Sequence, residues 1–570
     1  MLKILLAVKT TSLRQLSPIR WRFMLFFCLG LLAVLIARLF TLHITQKQFL
    51  NAQGNARTLR TIEIPSYRGL ITDRRGTPLA VSSPVDAIWI NPKLFNPTLK
   101  QLSKLADLLN LDAQEISDKQ IQYAQKSFLY LKRGLPPDLA NEILLLKIPG
   151  LAKKREFKRF YPSGKQAAQL VGFTNIDDQG QSGLELSFDE HLKPKIGKKR
   201  VLEDRMGHWI QDVDHFQAPQ SGQNISLSID LRIQNIALQE LEQALEKYKA
   251  KSATLVMVDV QTGEVLSMVT APSYNPNNPK ERQGEAVRNR ALTDQIEPGS
   301  TAKAFSILSA LSSKQFDPST PINTHPGRLQ IGNHLVKDIR NYGQLTVKEV
   351  LKNSSNVGMT KITLSLPSKH LIQTFEQLGL GTETLTPFPG EQKGRLPDPP
   401  KNPFVHATLA FGYGLTVTPL QLASAYATLA SGGQKIPITL LKREDPIVKG
   451  EQVLPQDVTY ATLEMLTEVV SEGTGRRAFI SGYLTAGKTG TIRLVGPQGY
   501  DPNRHIGLFA GITPAKNPKL ATVVIIEEPS ERLYYGGLTA APVYKNVVSK
   551  ALILLNIPPD QEANIIMAKK

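Results

Sequence analysis

Three short stretches of this 570-residue chain carry groups that could act together on an acyl bond. The first is "EPGSTAKAF", which holds the only Ser-x-x-Lys in the sequence, Ser300 and Lys303. The run "STAKAFSILSAL" reads as a helix, with Phe305 and Leu308 on successive turns. Ser300 then stands at the helix N-terminus. A serine there can cap the chain, and the free N–H groups there favour developing negative charge. Lys303 shares its face, one turn on. A serine hydroxyl is a weak nucleophile until a base takes its proton. A lysine can be that base only if burial or neighbouring cations lower its pKa.

The second stretch is "KNSSNVGMT", with Ser354 and Asn356. Alone, it reads as a polar loop between helices. In a catalytic setting Ser354 relays a proton, and Asn356 hydrogen-bonds both the lysine and a substrate amide. The third is "AGKTGT", residues 486–491, which alone reads as a glycine-containing strand with a bulge. Its chemical reading offers Lys488, Thr489 and Thr491 to a carboxylate, with Gly490 permitting close backbone approach. An extended peptide could pair along such a strand.

The segments around these motifs must place them. A unit is expected to begin near residue 221. "LRIQNIALQELEQALEKYK" puts Ile233, Ala237, Leu241, Ala244, Leu245 and Tyr248 on one helical face. "ATLVMVDV" and "EVLSMVTAP" flank "QTG" as a hairpin. Helices are expected to dominate from about 300 to 430. "YLTAGKTGTIRL", "HIGLFAGITP" and "KLATVVIIEEP" read as three strands. A sheet assembled from both ends of this unit, with helices between, fits α/β or α+β packing. Before it lies a mixed, irregular module. It contains an alternating run around the turn-like "DRRG", a helical patch near 98–127, and the basic stretch "KKREFKRFYPSG", read as a solvated strand edge.

Residues 23–42, "FMLFFCLGLLAVLIARLFTL", are long enough to cross a hydrocarbon core of about 30 Å. Lys3, Lys9, Arg14, Arg20 and Arg22 precede it without an acid, so the N-terminus is expected in the cytoplasm and the bulk outside. No small-x-small cleavage site follows, which favours an uncleaved anchor over a signal peptide. Arg38, near the outer end, can snorkel to the interface or meet another membrane helix. The one cysteine, Cys28, lies in this segment, so no intramolecular disulfide forms. The net charge of +19 favours an anionic partner. Without a nucleic-acid motif or zinc-type spacing, that charge does not point to DNA or RNA. Scattered histidines and no G-x-S-x-G elbow argue against a Ser-His-Asp hydrolase.

In the order S-x-x-K, S-x-N, K-T-G, the three motifs match the set shared by β-lactamases and penicillin-binding proteins. The chain resembles a class B penicillin-binding protein. The resemblance extends to "YRGLITDRRGTPLAVS", "GFTNIDDQGQSGLELSFDEHL", "VDVQTGEVLSMVTAPSYNPN", "FGYGLTVTPLQLASAYATLA" and "YYGGLTAAPVY". "SPVDAIWINPK" is most similar to the division-specific members, the FtsI or penicillin-binding protein 3 type.

The resemblance implies an α+β multidomain chain. Its parts would be a basic cytoplasmic tail (1–22), a transmembrane anchor (23–43), a non-catalytic pedestal module (44–220), a transpeptidase domain (221–555) and a polar tail (556–570). The transpeptidase domain would have a central antiparallel sheet with flanking helices, like the serine β-lactamases. The implied activity is D,D-transpeptidation of peptidoglycan stem peptides ending in D-Ala-D-Ala, with β-lactams trapping the same serine. By motif position, Ser300 would be the nucleophile and Lys303 the base. Ser354 and Asn356 would orient Lys303 and the substrate. Lys488, Thr489, Gly490 and Thr491 would hold the substrate, and the N–H groups of Ser300 and Thr491 would form the oxyanion hole. Ile492 follows Thr491 where the family more often has a small residue, a departure expected to alter the pocket rim without removing a named role. No metal and no organic cofactor is implied. The implied partners are a SEDS-type glycosyltransferase and other divisome proteins, met through residues 44–220. The alternatives are an elongation-specific member, a penicillin sensor or β-lactamase, and a divisome scaffold without turnover.

Overall fold

A computed structural model describes residues 18–203, 209–445, 448–496, 499–530 and 533–561. Lys3, Lys9 and Arg14 of the expected basic tail, and residues 562–570 of the expected C-terminal tail, lie outside the described residues. The chain divides into two units, Met1–Pro65 with Ile196–Gln220, and Ser66–Lys195 with Ser221–Lys570.

In the first unit the apolar run is an α-helix, Pro18–Phe40, continued by a π-helical turn, Thr41–Thr45. Its most apolar stretch has a mean hydropathy of 2.5, and none of it is buried by protein. It is long enough to cross a bilayer. Arg20 and Arg22 fall in its first turns and Arg38 in its last. Beyond it, Leu59–Ile64 pairs antiparallel with Gly197–Glu203, which pairs with Trp209–Gln217. Glu63 stands opposite Lys198 across the ladder, a favourable cross-strand pair.

The second unit opens with the "DRRG" hairpin. Asp73 Oδ1 accepts from the N–H groups of Arg75 (2.9 Å) and Thr77 (2.7 Å), and Gly76 takes the positive φ (+84°) that the turn requires. The following strand, Pro78–Ile90, pairs with Leu129–Leu135 and with Leu151–Phe160. The basic stretch is therefore a strand, as expected, but its cations are not simply solvated. Odd-numbered residues share one face of a strand. On that face Lys153 and Arg155 meet the buried Asp86 at 3.0 and 2.7 Å, and Arg159 meets Glu185 at 2.6 Å. Arg68 reaches the same Glu185 at 2.7 Å and Asp189 at 2.7 Å. Arg68, Arg159 and Glu185 are all buried, and buried charges persist only when paired in this way.

The chain then returns to build the catalytic sheet. Helix α1 (Leu231–Tyr248) buries Ile233, Ala237, Leu241, Ala244 and Tyr248, the face the sequence pattern indicates. Its first N–H groups are met by Asp230 (from Arg232 N, 3.0 Å) and by the other oxygen of Asp73 (from Leu231 N, 3.1 Å). Strands β1 (Ser252–Asp259) and β2 (Val265–Ala271) form the expected hairpin, turning at Gly263 (φ +70°). Helices α2 (Lys303–Ser312), α3 (Val347–Asn353), α4 (Asn356–Leu364) and α5 (Gln456–Ser471) follow. Strands β3 (Ala486–Gly496), β4 (Gly499–Thr513) and β5 (Leu520–Glu527) and helix α6 (Gly536–Leu554) complete it.

The sheet order is β2-β1-β5-β4-β3, antiparallel throughout. Alternate residues of β1 and β5 feed two cores. Leu255, Met257 and Val524 pack with α1 and α6, while Val256, Val258 and Val523 pack with Phe305, Leu308 and the helices on the other side. Burial on both faces explains why "LATVVIIE" is almost uninterruptedly apolar. Strand β3, which carries the Lys-Thr-Gly motif, is left at the sheet edge. The start of the expected polar tail is tied down rather than loose. Asp560 accepts from Leu484 N (2.7 Å) and Lys516 N (3.2 Å), and Tyr483 donates to Ile557 O (2.7 Å).

Candidate active site

Ser300 lies in a 3-10 turn, Gly299–Ala302, that leads directly into α2. The turn is anchored from below by Thr301, whose hydroxyl donates to Pro298 O (2.6 Å), and by Tyr426, which donates to Thr301 O (3.0 Å). Gly299 holds φ at +51°, and its N–H donates to Gly412 O (3.1 Å). A Cβ on Gly412 would stand 2.1 Å from Gly299 O, so only glycine fits beneath the turn. No side-chain cap hydrogen bond is made at this turn or at the start of α2. The capping role expected for Ser300 is not the one it plays. The tight 3-10 geometry supplies the helix start from the backbone and leaves the hydroxyl uncommitted.

Lys303, the first residue of α2, is fully buried. Its Nζ donates to Ser354 O (2.6 Å) and Asn356 Oδ1 (2.7 Å), with Ser354 Oγ at 3.2 Å. The two closest partners can only accept, so Lys303 donates to both. Burial pushes the Lys303 pKa well below its usual value. The Lys488 charge adds to that, and Asp338 opposes it. Lys488, on β3, is also fully buried, and burial lowers it to about 7. Its Nζ donates to Ser354 Oγ (3.0 Å) and Thr489 O (3.2 Å). The Ser354 hydroxyl thus bridges the two amines.

Ser354 sits between α3 and α4 in the left-handed conformation, φ +57°. Ser355 caps α4, accepting from Gly358 N at 2.9 Å. This turn is more than the polar loop its composition suggests, because it points Ser354 and Asn356 at Lys303. On β3, Thr489 Oγ1 lies 2.9 Å from Thr474 Oγ1, and Thr491 Oγ1 accepts from Gly536 N at 3.1 Å. Having accepted there, Thr491 keeps its own proton for an anion. Gly490 is approached by the chain itself: a Cβ there would meet Thr301 Cγ2 at 3.4 Å, and Gly536 packs on its carbonyl. Ile492 is not at the rim. It is buried against Gly299, where a Cβ would come within 2.6 Å of its Cγ1.

Ser300, Ser354, Asn356, Thr489 and Thr491 line one cleft of about 600 Å³, with the two lysines beneath. A serine hydroxyl on this cleft, shared with two threonine hydroxyls and with the Ser354 that contacts two buried amines of lowered pKa, suits acyl transfer from a substrate carrying a carboxylate. Reading the motifs missed Asp338, Tyr342, Thr474, Arg476, Arg477 and Tyr535, which line the same cleft from distant segments. Of these only Tyr535, in "YYGGLTAAPVY", lies in a stretch that carries the resemblance.

The penicillin-binding protein transpeptidase domain matches residues 253–549, and the penicillin-binding protein dimerisation domain matches residues 63–227. The chain is 41% identical over 551 residues to the peptidoglycan D,D-transpeptidase FtsI of Escherichia coli K12, covering 95% of this chain and 93% of that one. This chain belongs to the class B penicillin-binding proteins, FtsI type. The probable peptidoglycan D,D-transpeptidase PenA of Neisseria gonorrhoeae is 36% identical over 93% of the chain and 91% of its own length. The solved transpeptidase domain of Burkholderia pseudomallei penicillin-binding protein 3 is 35% identical, with a TM-score of 0.55, over 59% of this chain and 98% of that one. A Mycobacterium penicillin-binding protein 3, solved with aztreonam, covers 88% of this chain and 99% of its own at a TM-score of 0.67 and 25% identity. The α+β architecture of a class B penicillin-binding protein is thus the one described above.

Proposed function

We propose that this class B penicillin-binding protein cross-links peptidoglycan stem peptides at the division septum, with Ser300 as the acylated residue. Ser300 Oγ attacks the carbonyl carbon of the penultimate D-Ala while Lys303 takes its proton. The oxyanion forms against the N–H groups of Ser300 and Thr491. Such donors are worth roughly 3 kcal/mol each to the barrier when they are preorganised. The C–N bond breaks as the proton passes, through Ser354, to the departing D-Ala amine. An amine of a second stem peptide then attacks the ester, gives up a proton by the same route and frees Ser300. Lys488, Thr489 and Thr491 hold the terminal carboxylate. A β-lactam meets the same groups and stays as a stable ester.

The observation that carries this reading is the buried pair of pKa-lowered amines joined by one serine hydroxyl. The apolar helix Pro18–Phe40, with basic residues before it, supports a single-pass inner-membrane protein with its bulk in the periplasm. Residues 44–220 are proposed as the module that meets a SEDS-type glycosyltransferase and other divisome proteins. Incubation with a pentapeptide donor and an amine acceptor tests the reaction: one D-Ala is released per cross-link, and none by the Ser300→Ala protein. Septal rather than lateral localisation of the tagged full-length chain tests the division assignment.

A further inference from the structure

We propose that Asp338 is a positioning residue of the transpeptidase centre, clamping the Ser354–Asn356 turn against Lys303; this rests on the function proposed above. Asp338 directly follows the strand His334–Lys337 and belongs to none of the three motifs. Its Oδ1 accepts from Asn356 N (2.5 Å) and Val357 N (3.0 Å), and its Oδ2 accepts from Ser355 Oγ (2.5 Å). Those N–H groups open α4 and have no partner within the helix, and a negative charge there is favoured by the helix dipole. The neighbouring Lys337 O accepts from Asn356 Nδ2 (3.3 Å), which turns Asn356 Oδ1 towards Lys303. Two successive residues therefore fix both the backbone and the side-chain amide of Asn356.

The clamp adds to the turn's own bonds, in which Ser354 N and Ser355 N close the end of α3 on Leu351 O (3.2 Å) and Val350 O (3.0 Å). Ser354 is held at φ +57°, a conformation that a non-glycine residue keeps only where its surroundings impose it. If the turn relaxes, both carbonyl partners of Lys303 move, because Ser354 O and Asn356 Oδ1 lie on either side of the clamped peptide. Asp338 is also the anion that acts on Lys303. The other charged group acting there is Lys488, from β3. Arg476 and Arg477 line the cleft above, and His370 contacts the carbonyl of Ser309 further along α2.

Two substitutions separate position from charge. In D338N the amide oxygen can keep both backbone N–H groups, and its Nδ2 can donate to Ser355 Oγ, so the clamp survives without its charge. D338A removes both. The readout is the second-order rate of Ser300 acylation by a fluorescent penicillin as a function of pH, on the full-length protein in detergent, with thermal melting measured in parallel. D338A is expected to lose about 100-fold, the scale of an ångström-level misplacement, with its melting temperature kept within a few degrees. D338N is expected to stay within about tenfold of wild type, and its rising limb should move to lower pH, because Lys303 loses the anion that favours its protonated form. The assignment is overturned if D338A acylates within threefold of wild type, if its loss merely tracks unfolding, or if the D338N limb does not move. Labelling of wild-type Ser300 on the same gel separates the two levels of failure, since a wild type without label overturns the proposed function as well.

Discussion

Lys488→Met should make this protein more stable while destroying its chemistry. Lys488 is fully buried, and burial lowers its pKa from 10.5 to about 7. Each pH unit of displacement is 1.36 kcal/mol, so keeping this lysine costs the folded state about 5 kcal/mol at pH 7. Methionine keeps the apolar stem and removes the charge. It also gives up two hydrogen bonds, to Ser354 Oγ and Thr489 O, each worth about 1 kcal/mol. The net expectation is a gain of about 3 kcal/mol at pH 7. The pH dependence carries the sign. Between pH 7 and 10.5 the unfolded chain binds the proton that the folded chain has released, so wild-type stability rises with pH across that window. The variant lacks Lys488's share of this slope, Lys303 keeping its own, so its slope is shallower and its advantage fades as pH approaches 10.5. Denaturant unfolding of the detergent-solubilised chain at pH 7, 8 and 9 measures both quantities. A variant less stable than wild type at pH 7, or one that keeps the wild-type slope, would refute the reasoning.

Lys303→Arg places a permanent charge where a neutral amine is required, and acylation by a labelled penicillin should fall by about 10²–10⁴, the worth of a general base. Gly299→Ala strains the turn before Ser300 at φ +51° and drives a Cβ into Ile492. Its acylation rate should drop, and adding Ile492→Ala should recover part of the loss but not the part due to φ. Glu185→Gln leaves Arg68 and Arg159 without their shared carboxylate and should cost about 3 kcal/mol in unfolding experiments. Acylation per folded molecule should be unchanged, because Glu185 does not line the catalytic cleft.

Much of this architecture is legible in the sequence because its signals are local. The period of α1, the "QTG" hairpin and the uninterrupted apolar run of β5 each follow from one segment's own pattern, and so does the apolar helix from Pro18. The site is legible only as three motif strings, because what joins them is long-range. That Lys303 meets Ser354, and Ser354 meets Lys488, follows from packing and not from spacing. Asp338 has no signature, since its partners are the backbone groups of a helix that starts at Asn356. The inward pairing of Arg159 was hidden for a similar reason: a run of cations reads as solvated until the facing Glu185 is placed. Ile492 reads as a rim residue from its neighbour Thr491, whereas the strand's alternation turns it inwards against Gly299.

Ser300, freed from capping and sharing its cleft with the Ser354 and Asn356 that hold the buried Lys303, is the residue expected to become acylated. Labelling the solubilised full-length protein with a fluorescent penicillin, followed by mapping of the modified peptide, tests it most directly. One label is expected, on the peptide containing "EPGSTAKAF", absent from Ser300→Ala. A label elsewhere, or an undiminished label in the folded Ser300→Ala protein, would contradict it.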